Sequence, residues 1–238
     1  EVNPRASRTV PFLSKVTGVP MVRLAVNCSL GKTLKEQGYE GGLWPRQPLV
    51  AVKAPVFSMS KLIGVDTFLG PEMKSTGEVM GIDRTFTAAV AKALTASGDA
   101  LPPKGGALLS LSDRTKADAI PVIRNLHAAG YKLYATRGTA EEIRALGVPV
   151  EQVAKQLDAE HPNVLDIITG GLVNCVVNTP EGGRPSTLQD GFQIRRAAAE
   201  RRIPCFTSID TAKAATAALV GGSQAYSVLP IHEYRSPA

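Results

Sequence analysis

Residues able to bind phosphate or a hard cation gather at two places in the 238-residue chain. The first is the opening stretch, Glu1-Val2-Asn3-Pro4-Arg5-Ala6-Ser7-Arg8. In an extended segment Glu1 and Asn3 point to one face, because side chains alternate. A carboxylate and an amide oxygen on one face are the hard-oxygen donors that magnesium takes. Arg5 and Arg8 can meet phosphate oxygens through their planar guanidinium forks. A solvated, frayed terminus has the same spacing, so spacing alone leaves both readings open. The second place is Ala135-Thr136-Arg137-Gly138-Thr139. An apolar run ends there, a glycine lets the backbone turn, and a threonine opens a helical pattern. A helix start offers free N–H groups and a positive dipole end, and the hydroxyls of Thr136 and Thr139 add donors. That outlines a phosphate cradle, although Thr139 equally suits an ordinary helix cap. Lys116 and Lys155 are candidate cations for the same pocket, and lone lysines are also common surface residues.

The composition narrows what such sites can serve. Apolar residues make up 44% and charged residues 20%, enough to bury a core rather than remain disordered. No apolar run reaches the roughly 18 residues a membrane span needs, so no membrane partner is expected. The three cysteines (Cys28, Cys175, Cys205) are far apart and form neither a disulfide framework nor a zinc pattern; buried, reduced thiols are expected. Three histidines exclude a histidine-rich metal site. A net charge of +6 suits small anions as well as nucleic acid, but aromatics at 5% argue against a stacking platform for single strands, and no nucleic-acid partner is expected. The chain opens without methionine and without a charged region followed by an apolar one, so no secretory signal is expected. The opening reads like the middle of a domain, and the expected location is cytoplasmic.

These residues need elements to hold them. Pro20 to Leu30 has helical spacing, with Gly31 as a stop. Val50 to Phe57 is β-rich, with Pro55 marking an edge or irregular strand. Thr85 to Ala96 is a helix capped by Thr85. The stretch Ser97 to Gly106 is rich in small residues, Gly and Pro, and reads as a linker. Beyond it, strand and helix patterns alternate. Strands are expected at Ala107–Leu111, Tyr131–Ala135, Val148–Val153, Leu172–Asn178 and Cys205–Ser208. Helices are expected at Lys116–Ala129, Thr139–Leu146 (capped by Thr139), Val164–Thr169, Asp190–Arg202 and Thr211–Leu219. Repeated βα units imply a parallel sheet with helices on both faces, and ligands at the carboxyl ends of its strands. Those ends supply Ser110, Ser112, Thr136, Thr139, Asn178 and Thr179.

The opening twelve residues, Glu1 to Phe12, closely resemble the last metal-binding strand of the second ATP-grasp unit in carbamoyl phosphate synthetase large chains. The resemblance continues through Ser14–Pro20, Gly31–Leu34 and Gly70–Gly81, and covers Glu1 to about Val220. It implies an α/β fold: a partial ATP-grasp tail, mixed α+β and mainly helical, over residues 1–100. A doubly wound parallel-sheet methylglyoxal-synthase-like domain would follow over 101–222, and a tail over 223–238. It implies a ligase that makes carbamoyl phosphate from bicarbonate, glutamine-derived ammonia and ATP, for arginine and pyrimidine synthesis. Glu1 and Asn3 would bind magnesium or manganese, with Glu1 also beside ATP. Arg5 and Arg8 would be the phosphate-side catalytic arginines. The implied partners are the small glutaminase subunit and the rest of the large chain.

The second part resembles the allosteric domain of that family, which binds nucleotides. Carried over residue by residue, Ser110, Lys116, Thr136, Thr139, Lys155, Asn178, Asp190 and Arg195 match its effector site, and UMP or IMP is the implied ligand. Pro180 replaces a second threonine after Asn178-Thr179, and the loop Glu181–Gln189 is longer. Ala54 and Cys205 stand where an ornithine-activated member has glutamate and tyrosine, though Thr207 is retained, so ornithine activation is not expected. The chain holds too little of the ATP-grasp unit for activity by itself. The alternatives are a free-standing nucleotide-binding regulatory module and, remotely, a methylglyoxal synthase, for which Asp158 would be the only stand-in base.

Overall fold

The computed structural model describes residues 5–59, 66–69, 72–155, 161–179, 185–222 and 227–236, with the side chains of 185–188 and 222 excepted. Helices α1 (Thr9–Thr17) and α2 (Met21–Ser29) form a short hairpin. Strand β1 (Val50–Val56) pairs antiparallel with β2 (Gly77–Asp83), Val50 opposite Asp83 and Val56 opposite Gly77. Pro55 is tolerated because, among the described residues, this sheet has two strands and β1 has a neighbour on one side only. Helix α3 (Phe86–Ser97) lies on both strands and buries Ala88, Ala89, Val90 and Ala93. Its cap is Thr85, whose Oγ1 accepts from the Ala88 N–H at 3.3 Å.

Beyond residue 105 the chain alternates strand and helix: β3 (Gly106–Ser110), α4 (Asp113–Lys116), α5 (Ile120–Ala128), β4 (Lys132–Thr136), α6 (Arg137–Ala145), β5 (Glu151–Val153), α7 (Val164–Thr169), β6 (Cys175–Asn178), α8 (Pro185–Glu200), β7 (Cys205–Phe206) and α9 (Ile209–Gly222). The five strands form one parallel sheet in the order β5-β4-β3-β6-β7. Side-chain alternation splits its core in two. Ala107, Leu109, Leu133, Ala135, Cys175 and Val177 meet α5, α6 and α9 on one face. Leu108, Tyr134, Val153 and Val176 meet α7 and α8 on the other. Both faces are dry, as a doubly wound parallel sheet requires. The fold is the α/β architecture expected of the sequence.

Several boundaries differ from expectation. The stretch expected as one helix over Lys116–Ala129 is α4, a 3-10 turn at Ala117–Ala119, and α5. Pro121 sits in the first turn of α5, where its missing N–H costs nothing, and so a new helix starts there. The sixth strand starts at Cys175 rather than Leu172, because the Leu172 N–H still bonds to the Ile167 carbonyl that ends α7. Helix α8 starts earlier than expected, at Pro185. The segment read as a tail carries helix α10 (Ile231–Arg235), and its Tyr234 is buried. Of the three thiols only Cys175 is buried; Cys28 is exposed at the end of α2. Among the described residues no helix is long and apolar enough to cross a membrane.

Candidate functional site

The carboxyl ends of β3, β4 and β6 lie side by side in the centre of the sheet, with Ser110 paired in register to Asn178. Helix α6 starts at the end of β4 with no intervening loop. Thr136, still extended, is its N-cap residue, but its side chain makes no capping bond. The expected cap role of Thr139 is therefore corrected. Thr139 lies in the first turn, buried, and its Oγ1 accepts from the Leu111 N–H at 3.0 Å. It ties the start of α6 to the end of β3 and leaves the first N–H groups of α6 without a side-chain cap. Thr136 Oγ1 donates to Thr139 Oγ1 at 3.5 Å.

Lys116 completes this corner. It ends α4, and a Cβ built on Gly138 would meet its Nζ at 3.3 Å, so the ammonium stands directly over the opening of α6. Asp113 holds that Nζ at 2.6 Å. The Lys116 hydrogen bond keeps the Asp113 carboxyl below its ordinary pKa. Beside it is a knot of hydroxyls. Thr179 Oγ1 accepts from the Ser112 N–H at 2.9 Å and lies 2.8 Å from Thr115 Oγ1, which lies 3.1 Å from Ser112 Oγ. An ammonium, a helix start and clustered hydroxyls are chemistry for an anion.

A second cluster lies on the β6 side. Asn178 Nδ2 donates to the Ser110 carbonyl at 3.4 Å, and its Oδ1 accepts from Arg195 Nη1 at 2.7 Å. Arg195, only 4% exposed, also grips Asp66 in two-pronged fashion, Nε to Oδ1 at 2.8 Å and Nη2 to Oδ2 at 2.6 Å. Burial would raise the Asp66 carboxyl, but Arg195 and the Phe68 N–H outweigh it and hold it below its usual pKa. Asp190 is buried on α8, five positions before Arg195.

The structure thus brings Lys116, Thr136 and Thr139 into one corner and joins Ser110, Asn178 and Arg195 in one chain of bonds. Lys155 is half-buried just past β5, at the border of the described residues. Glu1 and Asn3 lie outside the described residues, as does Asp158. Arg5 and Arg8 are exposed ahead of α1. Among the described residues no group of three acidic, cysteine or histidine side chains could hold a metal ion. The sequence reading missed Asp66 and Thr115. Asp66 had no signal, since its partner is 129 positions away; Thr115 had one, three residues after Ser112 at the start of a helix.

Residues 118–207 match the MGS-like domain family. Over 236 residues the chain is 60% identical to the carbamoyl phosphate synthase large chain of Thermomicrobium roseum, covering 99% of this chain and 22% of that protein. The same-named protein of Caldanaerobacter subterraneus subsp. tengcongensis is 49% identical over 240 residues, covering 99% of this chain and 21% of its own length. That of Thermoanaerobacter sp. is 48% identical over 236 residues, with coverage of 98% and 21%. The chain spans about a fifth of the length of these curated relatives.

Proposed function

We propose, for a chain related over 99% of its length to carbamoyl phosphate synthase large chains and carrying an MGS-like domain, that it is the effector-binding portion of such a ligase. The parent reaction is the ATP-dependent formation of carbamoyl phosphate from bicarbonate and glutamine-derived ammonia, in the cytoplasm, for arginine and pyrimidine synthesis. Its partners are the remainder of the large chain and a small glutaminase subunit. Magnesium or manganese with ATP belongs to that reaction, and Glu1, Asn3, Arg5 and Arg8 are the residues assigned to it.

This chain's own task is to bind a nucleoside monophosphate, UMP or IMP, by its phosphate. The observation that supports this is the Lys116 ammonium held over the opening of α6 at Gly138. A phosphate placed there meets one cation, the free N–H groups and dipole of α6, and hydroxyls from Thr136 and neighbouring Ser and Thr residues. Lys155 is the second cation assigned to that phosphate, and Asn178 and Asp190 complete the assignment toward the rest of the nucleotide. Calorimetric titration of UMP and of IMP into the chain tests it. Lys116→Ala should weaken binding by about 1.5–3 kcal/mol, the range for a hydrogen bond to a charged group, and Lys155→Ala by a similar amount. Absence of binding by the wild type would reject the reading.

A further inference from the structure

Three of the five N–H donors of the Arg195 guanidinium are committed to protein groups. Nε and Nη2 go to Asp66, and Nη1 goes to Asn178. The Phe68 ring lies 5.8 Å from its central carbon. Helix α8 packs closely on this pair, because a Cβ on Gly191 would come within 2.7 Å of Nη1 and 3.5 Å of Asn178 Oδ1. Asp66 is fixed in turn. Its Oδ1 accepts from the Phe68 N–H at 2.9 Å, and Lys74 Nζ reaches the carbonyls of Asp66 at 3.2 Å and Phe68 at 2.5 Å. On the other side, Asn178 gives one of its two amide hydrogens to the Ser110 carbonyl, which also accepts from the Thr179 N–H at 3.2 Å. A continuous chain of bonds therefore runs from the segment between β1 and β2 to the strand ends of the anion site.

We propose that Arg195 is a positioning residue that holds Asn178 in place, and that Asp66 sets the position of Arg195. The segment between β1 and β2 thereby governs the shape of the nucleotide site. By reciprocity, nucleotide binding bears on that segment to the same extent. The idea rests on the nucleotide reading above for its ligand, but not for its geometry. A fork-shaped cation bridging a carboxylate and an amide fixes both in orientation, which a lysine cannot do.

Amide hydrogen exchange on the intact chain reads the bridge without any nucleotide. In Asp66→Asn the Thr179 amide should exchange about tenfold faster, the scale of one lost charge-assisted bond. The Leu111 amide, bonded to Thr139 outside the bridge, should keep its rate. Arg195→Lys should act as Asp66→Asn does. Unchanged exchange at Thr179, or equal acceleration at Leu111 and Thr179, overturns the proposal; the second result would mean general loosening. Titration with UMP and IMP then separates the two claims. Asp66→Asn should bind about tenfold more weakly than wild type. If wild type binds neither nucleotide while Thr179 still responds to Asp66, the nucleotide reading falls and the bridge stands. If wild type and variant bind alike, the bridge falls and the nucleotide reading stands.

Discussion

Gly138 shows how one absent methyl group leaves room for a neighbouring ammonium. Its φ is not in the left-handed region, so the backbone itself would accept alanine. Alanine in a helix is worth about 1 kcal/mol over glycine. What an added Cβ meets is the end of a flexible side chain, Lys116 Nζ at 3.3 Å. Gly138→Ala should therefore keep or gain stability in urea unfolding while the displaced ammonium weakens UMP and IMP binding. Loss of stability with unchanged affinity would contradict this account of the glycine. Thr139 is the opposite case. Its hydroxyl satisfies the buried Leu111 N–H, so Thr139→Val should cost about 1–3 kcal/mol of stability and Thr139→Ser much less. At this scale the sequence located the start of α6, because strand-glycine-threonine patterns mark helix starts. It misassigned Thr139, since a threonine hydroxyl looks the same whether it caps its own helix or bonds a neighbouring strand. It had no means of finding Asp66, whose importance comes wholly from an arginine 129 positions away.

Close backbone approach governs how the elements fit. Gly81 on β2 faces α3, and a Cβ there would come 2.0 Å from the Ala89 carbonyl and 2.6 Å from the Ala93 nitrogen. Neither atom can rotate away, so Gly81→Ala must push α3 off the β1–β2 pair. Overpacking of this kind costs about 1–3 kcal/mol and sometimes more. Thermal unfolding should show a drop for Gly81→Ala and none of comparable size for Gly77→Ala, where the added methyl would rest 3.8 Å from Val56 Cβ. The α/β alternation after residue 105 was legible because the central strands β3, β4 and β6 are short, largely apolar runs, and Gly130 and Gly147, both at positive φ, follow α5 and α6 as anticipated. The break before α5 was legible in principle from Pro121. The role of α10 was not, since five residues of mixed polarity carry no pattern. Its docking depends on Arg84 reaching the carbonyls of Glu233 and Tyr234 at 2.9 and 2.8 Å.

Across the whole molecule, two carboxyls, the buried Asp83 and the half-buried Asp99, should respond to acid in opposite ways. Asp83, at the end of β2, accepts from Lys92 Nζ at 2.8 Å, from the Arg84 N–H at 2.7 Å and from the Ser227 N–H at 3.3 Å. Lys92 in turn donates to Tyr234 Oη at 2.8 Å and lies 4.7 Å from the centre of its ring. This group binds β2, α3 and the C-terminal segment together. Burial alone would raise the Asp83 carboxyl, but the Lys92 and Arg84 bonds prevail and its pKa is lowered. A lowered folded-state pKa means stability that is present above the unfolded value, about 3.9, and lost as pH falls through the folded one. Asp99, after α3, is raised by burial, offset only in part by its bond from Ser97 Oγ at 2.9 Å. Its sign is reversed: stability is present below about pH 3.9 and lost as pH rises through the raised value. Asp83→Asn should therefore destabilise near neutrality, by about 1.5–3 kcal/mol, with the loss fading in acid. Asp99→Asn should stabilise near neutrality, with the gain fading in acid. Urea unfolding of both variants between pH 3 and 7 checks the pair. Matching pH profiles would mean that burial and ion pairing do not divide these carboxyls as the structure implies.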